Sequence, residues 1–543
     1  MKLAHALLQA LKDYGAGEIF GIPGDFALPF FKHIEQSGIL PLYTLSHEPG
    51  VGFAADAAGR YRSTLGVACV TYGAGALNMI NPVATAYAEK SPLVVISGAP
   101  GAVERTMGLG LHHQVKHFDS QMLIMREVTC AQCVLDDAAH ASAEIARVLG
   151  AAREQSRPVY IEFPRDMVDA EVTGVPAFMP RKANPDAAAA AARQTLEMLT
   201  SAKAPALLLG VEVRRYGLEG KVAKLARKLG VPVLTSFMGR GILAETGAPS
   251  AGTYLGLAGE PSTRRLVERS DGLLMLGVIL CDTNFGVSKR QIDMRTAIHA
   301  FDGAVRFEHH QYPGVTLEAY VDALLVKAQK LGDAKPVVAK YPHGLKSGTR
   351  SLKPQDIATA VNDFFARHDV MPIASDMGDC LFTAMDIENT ALVAPGYYAT
   401  MGTGIPFGIG LEAASGKRAL IMVGDGAFQM TGWELGNCKR LGLRPIVLVF
   451  NNTAWGMLKA FQKDTAYNNL DDWHFADIAA SMGGKGIRVT NTGELIAALE
   501  TAQADSTCFQ LIEIMLPQDA LSDTLTRFTK AIASKSALGK KPD

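Results

Sequence analysis

The two ends of this chain repeat one another at a long period, and that restricts the fold more than any composition figure. Gly24-Asp25 returns as Gly378-Asp379, Gly73-x-Gly75 as Gly424-x-Gly426, and Pro92 before Leu-Val-Val-Ile as Pro445 before Ile-Val-Leu-Val, at separations of 354, 351 and 353 residues. Each copy opens on a short apolar run, Ile19-Phe20-Gly21-Ile22 or Met371-Pro372-Ile373-Ala374, followed by a turn and an apolar helix pattern. Strands alternating with helices predict a parallel sheet covered by helices. Two copies of one such unit can pack about a pseudo-twofold axis and hold a small molecule in the cleft between them.

Between the copies lies a third α/β segment, with apolar runs at Ala206–Gly210, Val231–Leu234 and Gly272–Gly277 and a helix over Gly220–Leu229. Residues 172–192 hold Pro176, Pro180 and Pro185 ahead of an alanine run, and 332–354 is rich in Lys, Pro, Gly and Ser, so both read as linkers. The expected fold class is therefore α/β, with three doubly wound parallel-sheet domains at 1–175, 190–332 and 352–543, the first and third being related copies.

An apolar share of 48% over 543 residues can fill several cores. The net charge of −1 argues against nucleic acid as a partner. No apolar stretch nears the length of a membrane span, and Leu3, Leu7, Leu8 and Leu11 mark an amphipathic helix rather than a signal peptide, so a cytoplasmic chain is expected. The seven cysteines are odd in number and scattered, which is no disulfide framework. Cys130-Ala-Gln-Cys133 has metal-like spacing but no second ligand pair, and it lies in the apolar segment Val128–Leu135; buried structural thiols are expected there.

Gly424-Asp425-Gly426 follows the apolar run Ala419–Val423, and Asn451-Asn452 closes a second run, Ile446–Phe450. A strand, a glycine turn, a helix and a second strand ending in carboxamides bring an acid and an amide to the carboxyl edge of a sheet, where α/β folds bind phosphates. Mg²⁺ typically takes one or two carboxylates plus phosphate oxygens, so Asp425 with Asn452 leaves room for a diphosphate.

This spacing of GDG and NN resembles the thiamin diphosphate signature of the pyruvate decarboxylase superfamily. The resemblance implies thiamin diphosphate and Mg²⁺ as cofactors, with Asp425, Asn452 and Ala454 at the metal and Thr71, Gly378, Asp379, Gly426, Ala427 and Trp455 at the cofactor. It also implies that the first copy holds the aminopyrimidine and the third the diphosphate, contributed by different subunits, so that a dimer is the minimum and a dimer of dimers is expected. Glu48, in Leu45-Ser46-His47-Glu48-Pro49-Gly50, matches the family glutamate that meets pyrimidine N1′ and activates the cofactor. On its own it reads as an acid at a helix amino terminus. The repeat carries Glu48 onto Met401, which matches the large apolar residue that bends the cofactor in the family; core filling is the plainer reading.

Gly108–Gln114 is a glycine-flanked stretch ending in His112-His113-Gln114 and following Val94–Pro100, as the twin histidines do in pyruvate, indolepyruvate and phenylpyruvate decarboxylases. With Asp25, which alone could be a helix cap, the pair matches that subgroup's proton relay. The implied reaction adds the thiazolium carbon to a 2-oxo acid and releases CO₂, after which Asp25 and His113 deliver a proton before the aldehyde leaves. One departure matters: pyruvate decarboxylases carry a glutamate six places after the metal-binding Asn, and here that position is Leu458. With Met457, Phe461 and Met377 beside it, an apolar, roomier pocket is expected, suited to an aromatic 2-oxo acid such as phenylpyruvate or indole-3-pyruvate rather than pyruvate or a branched-chain acid. Asp282 is a candidate to replace the lost glutamate, although an ordinary turn Asp is the plainer reading. An acetolactate synthase-like carboligase shares the domain order but lacks the paired histidines. A non-catalytic nucleotide-binding protein would have no use for both Glu48 and Asp425, and no complete G-x-G-x-x-G follows Gly73 or Gly402.

Overall fold

The computed structural model describes residues 1–285, 292–331, 337–388 and 390–539. Continuous apolar runs become strands buried on both faces, as parallel sheets require. The first sheet has strands β1 (Ile19–Gly21), β2 (Leu42–Thr44), β3 (Gly66–Val70), β4 (Leu93–Ala99), β5 (Ala131–Val134) and β6 (Val159–Pro164), in the order β2-β1-β3-β4-β6-β5 and parallel throughout.

The second sheet comprises β7 (Pro205–Leu209), β8 (Val233–Ser236), β9 (Thr253–Tyr254), β10 (Gly272–Leu276), β11 (Ala297–Phe301), β12 (Ala304–Arg306) and β13 (Gln311–Pro313). It is parallel except at one edge, where β12 and β13 run antiparallel. Asp302 and Gly303 at φ of 53° and 71° make the tight turn from β11 into β12.

The third sheet holds β14 (Ile373–Ser375), β15 (Leu392–Val393), β16 (Leu420–Gly424), β17 (Ile446–Asn451), β18 (Lys485–Val489) and β19 (Gln510–Met515). Its order, β15-β14-β16-β17-β19-β18, is all parallel and reproduces the first sheet strand for strand. The sequence repeat is thus a repeat of topology. The linker expected at 332–354 lies partly outside the described residues, at 332–336.

The chain divides into two compact units, one of Met1–Arg181 with Gly402–Ala419 and Thr431–Pro445, the other of Lys182–Met401 with Leu420–Met430 and Ile446–Asp543. Within the first unit, the helix Glu48–Arg62 is buried along most of its length and is walled by backbone on two sides. A Cβ on Gly66 would lie 2.0 Å from the Ala55 carbonyl oxygen, and one on Gly410, in the helix Gly404–Ser415, would lie 2.0 Å from that of Ala54. The same helix pair carries a buried ion cluster. Arg60 meets Asp56 at 2.7 Å and Glu89 at 2.7 Å, all three nearly inaccessible, and its guanidinium lies 5.3 Å from the Phe407 ring centre. Burial opposes the charge on Arg60, and the two carboxylates more than restore it. Breaking such a buried set by removing one partner typically costs 3–5 kcal/mol.

Cys130 and Cys133 sit at and in β5 as reduced thiols, pushed up by burial to about 11 and about 12. Among the described residues no helix is long and apolar enough to cross a membrane. Gly410→Ala forces a methyl group into the Ala54 carbonyl, and the expected outcome is a loss of about 1–3 kcal/mol in unfolding free energy, read from the denaturant midpoint.

Candidate active site

The GDG and NN segments meet at the carboxyl edge of the third sheet, in the second unit. Asp425 starts a short helix, is 4% exposed, and accepts from the backbone N–H of Gly426 at 2.8 Å and those of Asn452 and Ala454 at 3.2 Å each. Burial pushes its carboxyl up to about 6, and the groups opposing that shift are backbone N–H donors of Gly426, Ala454, Asn452 and Thr453. A buried carboxylate held by N–H groups alone is a site that a cation stabilises.

The two asparagines divide the work. Asn451 is fully buried and turns inward, donating to Glu513 at 2.6 Å, and Glu513 also meets Arg488 at 3.0 Å. Asn452 turns to the other side, its Oδ1 accepting from Ala454 N–H at 3.2 Å. Thr453 between them has a φ of 51°, a costly conformation for a β-branched residue, fixed by hydrogen bonds from its N–H to Asn451 Oδ1 at 3.1 Å and from its Oγ1 to the Asn452 carbonyl at 2.8 Å. Trp455 closes over Gly426, where a Cβ would come within 2.3 Å of the indole. Ala427 is buried beside it, and among the described residues the nearby Gln429 Nε2 is buried without a hydrogen-bond partner. The Asp425 carboxylate and the Asn452 amide oxygen, joined through Ala454 N–H, with a glycine turn beside them, are oxygen ligands of the kind that fit Mg²⁺ and a diphosphate.

In the first unit, the structure brings Asp25, His112, His113 and Thr71 together. Asp25 Oδ2 lies 2.5 Å from His112 Nε2, Oδ1 lies 3.9 Å from His113 Nδ1, and Thr71 Oγ1 reaches Asp25 at 3.5 Å. Burial raises the Asp25 carboxyl, but the His112 hydrogen bond and charge, the Phe26 N–H and His113 together bring it below the ordinary value. Phe26 stacks on His112 with ring centres 4.9 Å apart. Glu48 opens its helix and accepts from Asn78 Nδ2 at 3.0 Å.

The specificity candidates lie in the second unit. Leu458 and Phe461, in the helix Gly456–Phe461, are 53% and 40% exposed, and Phe461 packs edge-on to Phe528. Met377 and Met457 pack on an apolar cluster of Phe237, Leu381, Phe382, Leu525 and Phe528. Gly378 has a φ of 140° and leads into Asp379, whose carboxylate accepts from Ser522 N–H at 2.8 Å and from the Ser522 hydroxyl. Met401 is half-buried. Asp282 is exposed, and its Oδ1 accepts from Thr283 N–H at 2.8 Å, inside its own turn.

Sequence reasoning passed over two buried side chains that hold these groups. Glu434 is fully buried and accepts from the N–H groups of Ser46 at 2.9 Å and His47 at 3.0 Å, ahead of Glu48. It holds the two residues that lead into the helix from 387 residues away, which no local pattern signals. Gln121 is the other, bonded to Gly73 N–H at 2.6 Å.

Comparison with known proteins shows the family of the chain. Residues 1–123 match the N-terminal TPP binding domain of the thiamine pyrophosphate enzymes, 192–325 the central domain and 376–514 the C-terminal TPP binding domain. The chain is 60% identical to indole-3-pyruvate decarboxylase of Azospirillum brasilense, over 98% of each protein. It is 29% identical to an alpha-keto-acid decarboxylase of Mycobacterium avium, over 94% of this chain and 93% of the relative, and 26% identical to pyruvate decarboxylase of Kluyveromyces lactis, over 98% and 99%. The chain belongs to the thiamin diphosphate-dependent 2-oxo acid decarboxylases.

Burial pushes the Asp379 carboxyl up to about 6 against the Ser522 hydrogen bonds. The folded protein therefore keeps this proton to about pH 6, whereas the unfolded chain releases it near pH 4, and stability falls as pH rises through that window. Asp379→Asn keeps an acceptor for Ser522 N–H, turns the hydroxyl contact into a donation from Nδ2, and does not titrate. Urea midpoints at constant cofactor are expected to fall less in this variant than in the parent between pH 4 and pH 6.

Proposed function

We propose that this enzyme decarboxylates an aromatic 2-oxo acid, indole-3-pyruvate or phenylpyruvate, to the aldehyde and CO₂. The observation that carries the substrate class is Leu458: an apolar side chain, half exposed beside Met457 and Phe461, stands where the pyruvate enzymes place an ionisable one. Transferring an aromatic side chain onto such a surface contributes about 2–3 kcal/mol that a methyl group does not. The name of the Azospirillum relative, indole-3-pyruvate decarboxylase, supports the same class.

In this reading Asp425, the Asn452 side chain and the Ala454 carbonyl would hold Mg²⁺ and, with it, the diphosphate end of the cofactor. Gly378, Asp379, Gly426, Ala427 and Trp455 line that end. Glu48 and Thr71 of a second copy of the chain meet the pyrimidine, so the working unit is at least a dimer, with a dimer of dimers expected. Met401 would support the cofactor with its apolar side chain. The bound cofactor supplies the electron sink for loss of CO₂. The protein's own work is to present the Glu48 carboxyl to the pyrimidine, to exclude water with Leu458, Met457, Phe461 and Met377, and to deliver a proton to the product carbon from His113, oriented through Asp25 and His112. Asp282 remains a candidate for orienting the substrate carboxylate. The three-domain partition at 1–175, 190–332 and 352–543 and a cytoplasmic location complete the proposal.

Turnover on a panel of 2-oxo acids with thiamin diphosphate and Mg²⁺ tests the function: indolepyruvate or phenylpyruvate is expected to lead in kcat/KM, and a preference for pyruvate or branched-chain acids would reverse the assignment. Leu458→Glu is expected to lower the ratio of phenylpyruvate to pyruvate kcat/KM by about 10- to 100-fold. Asp425→Ala removes the carboxylate at the metal, and thiamin diphosphate affinity, followed by fluorescence quenching at saturating Mg²⁺, is expected to drop by about 100-fold or more.

A further inference from the structure

Behind the first-unit site lies a buried polar cluster that the proposed mechanism does not use. Three strand ends of the first sheet converge there, through Thr71–Gly73 after β3, Ser97 on β4, and Tyr160 and Glu162 on β6. Gln121, 1% exposed in the helix Ser120–Arg126, stands at its centre. Its Oε1 accepts from Gly73 N–H at 2.6 Å. That bond fixes the amide orientation, because Gly73 N–H can only donate.

The other end of the amide is fixed in turn. Gln121 Nε2 reaches Ser97 Oγ at 3.1 Å and the Tyr160 hydroxyl. Ser97 Oγ spends its own proton on the Gly98 carbonyl at 2.8 Å, and Tyr160 spends its proton on Glu162 Oε1 at 3.1 Å, so both oxygens are left as acceptors. The chain has one consistent direction, from Gly73 N–H through the amide to the Glu162 carboxylate.

What Gly73 touches gives the cluster its function. A Cβ on Gly73 would lie 2.0 Å from the His113 carbonyl oxygen, so the His113 backbone rests on this turn. A Cβ on Gly75, at the end of the same turn, would lie 3.4 Å from Glu48 Oε1. Thr71 opens the turn and meets Asp25.

We propose that Gln121 is a positioning residue of the decarboxylase site: it anchors the Thr71–Gly75 turn to the buried Tyr160–Glu162 pair and so sets the placement of the Glu48 carboxylate and the His113 relay. This rests on the reading of Glu48 as the carboxylate that activates the cofactor. Glu162 is faced by Tyr160 from its own strand, Gln121, Arg105 at 3.6 Å and Asp119, and burial pushes its carboxyl up to about 7 against the pull of Tyr160, Arg105 and Gln121. A second carboxylate placed beside it must share its proton.

The test uses holoenzyme loaded with thiamin diphosphate and Mg²⁺ and measures deuterium exchange at the cofactor C2 by NMR, alongside kcat/KM. Gln121→Met fills the space but breaks the chain, and C2 exchange and kcat/KM are expected to fall together by about 10- to 100-fold, with the circular dichroism spectrum retained. Gln121→Glu keeps the acceptor for Gly73 N–H. It is expected to restore exchange to within about 3-fold at pH 6, where Glu162 and the new carboxylate share a proton, and to lose it as pH rises and both ionise. If Gln121→Met does not fold, the pH-dependent rescue in Gln121→Glu carries the test. Parent-like exchange and kcat/KM in Gln121→Met would overturn the proposal, as would a Gln121→Glu variant that is equally slow at every pH. Glu48→Ala run in parallel keeps the two ideas apart, because unchanged exchange there overturns the Glu48 reading whatever Gln121→Met does.

Discussion

The close fit of the helix Glu48–Arg62 between two backbones is the contact on which the rest of the first unit depends. Gly66 and Gly410 let β3 and the helix Gly404–Ser415 approach until no side chain could be added on either side. A helix walled by main chain cannot relax as a side-chain contact can, because neighbouring carbonyl groups have no alternative rotamers. Glu48 at its first position inherits that rigidity. Glu434 and the Arg60–Asp56–Glu89 cluster fix the helix at its two ends, one through the N–H groups of the two residues that lead into it and the other through buried charge.

The same economy of means recurs around Asp425. Asp425 is desolvated and held by N–H groups, and the strained Thr453 turn separates two asparagines so that one bonds into the core and the other to Ala454 N–H beside Asp425. Neighbouring identical residues thus have opposite functions, decided by the strand pleat and one left-handed residue. Strain of this kind persists only where surrounding bonds over-determine it. Here those bonds include Trp455 N–H to the Asn468 carbonyl and Leu470 N–H to the Thr453 carbonyl, each 2.8 Å.

Much of this was legible in the residues alone, and the reasons are local. The apolar runs before Gly73 and Gly424 are strands because parallel sheets need no polar alternation, and the repeated glycine motifs correspond to the same strand order in two sheets. GDG and NN carry their own geometry, a turn after a strand and carboxamides at a strand end. The Asp25 and histidine grouping needed the family resemblance, since 87 residues separate Asp25 from His112. The antiparallel edge at β12 and β13 was not foreseen, because three-residue strands leave almost no periodicity to read. Gln121 and Glu434 were invisible for a different reason: a polar side chain in an amphipathic or irregular segment looks solvent-facing until tertiary contacts bury it.

The composition of the first unit bears on how the chain is made. The main-chain N–H groups ahead of Glu48 wait for Glu434, synthesised 388 residues after Ser46, and the helix face over Ala54 waits for Gly410. At roughly 5–20 residues per second, ribosomes leave that apolar flank uncovered for about 20 to 80 s. The nascent amino-terminal lobe is therefore a natural client for chaperones during translation, and the approach to Glu48 is secured only when the last third of the polypeptide emerges.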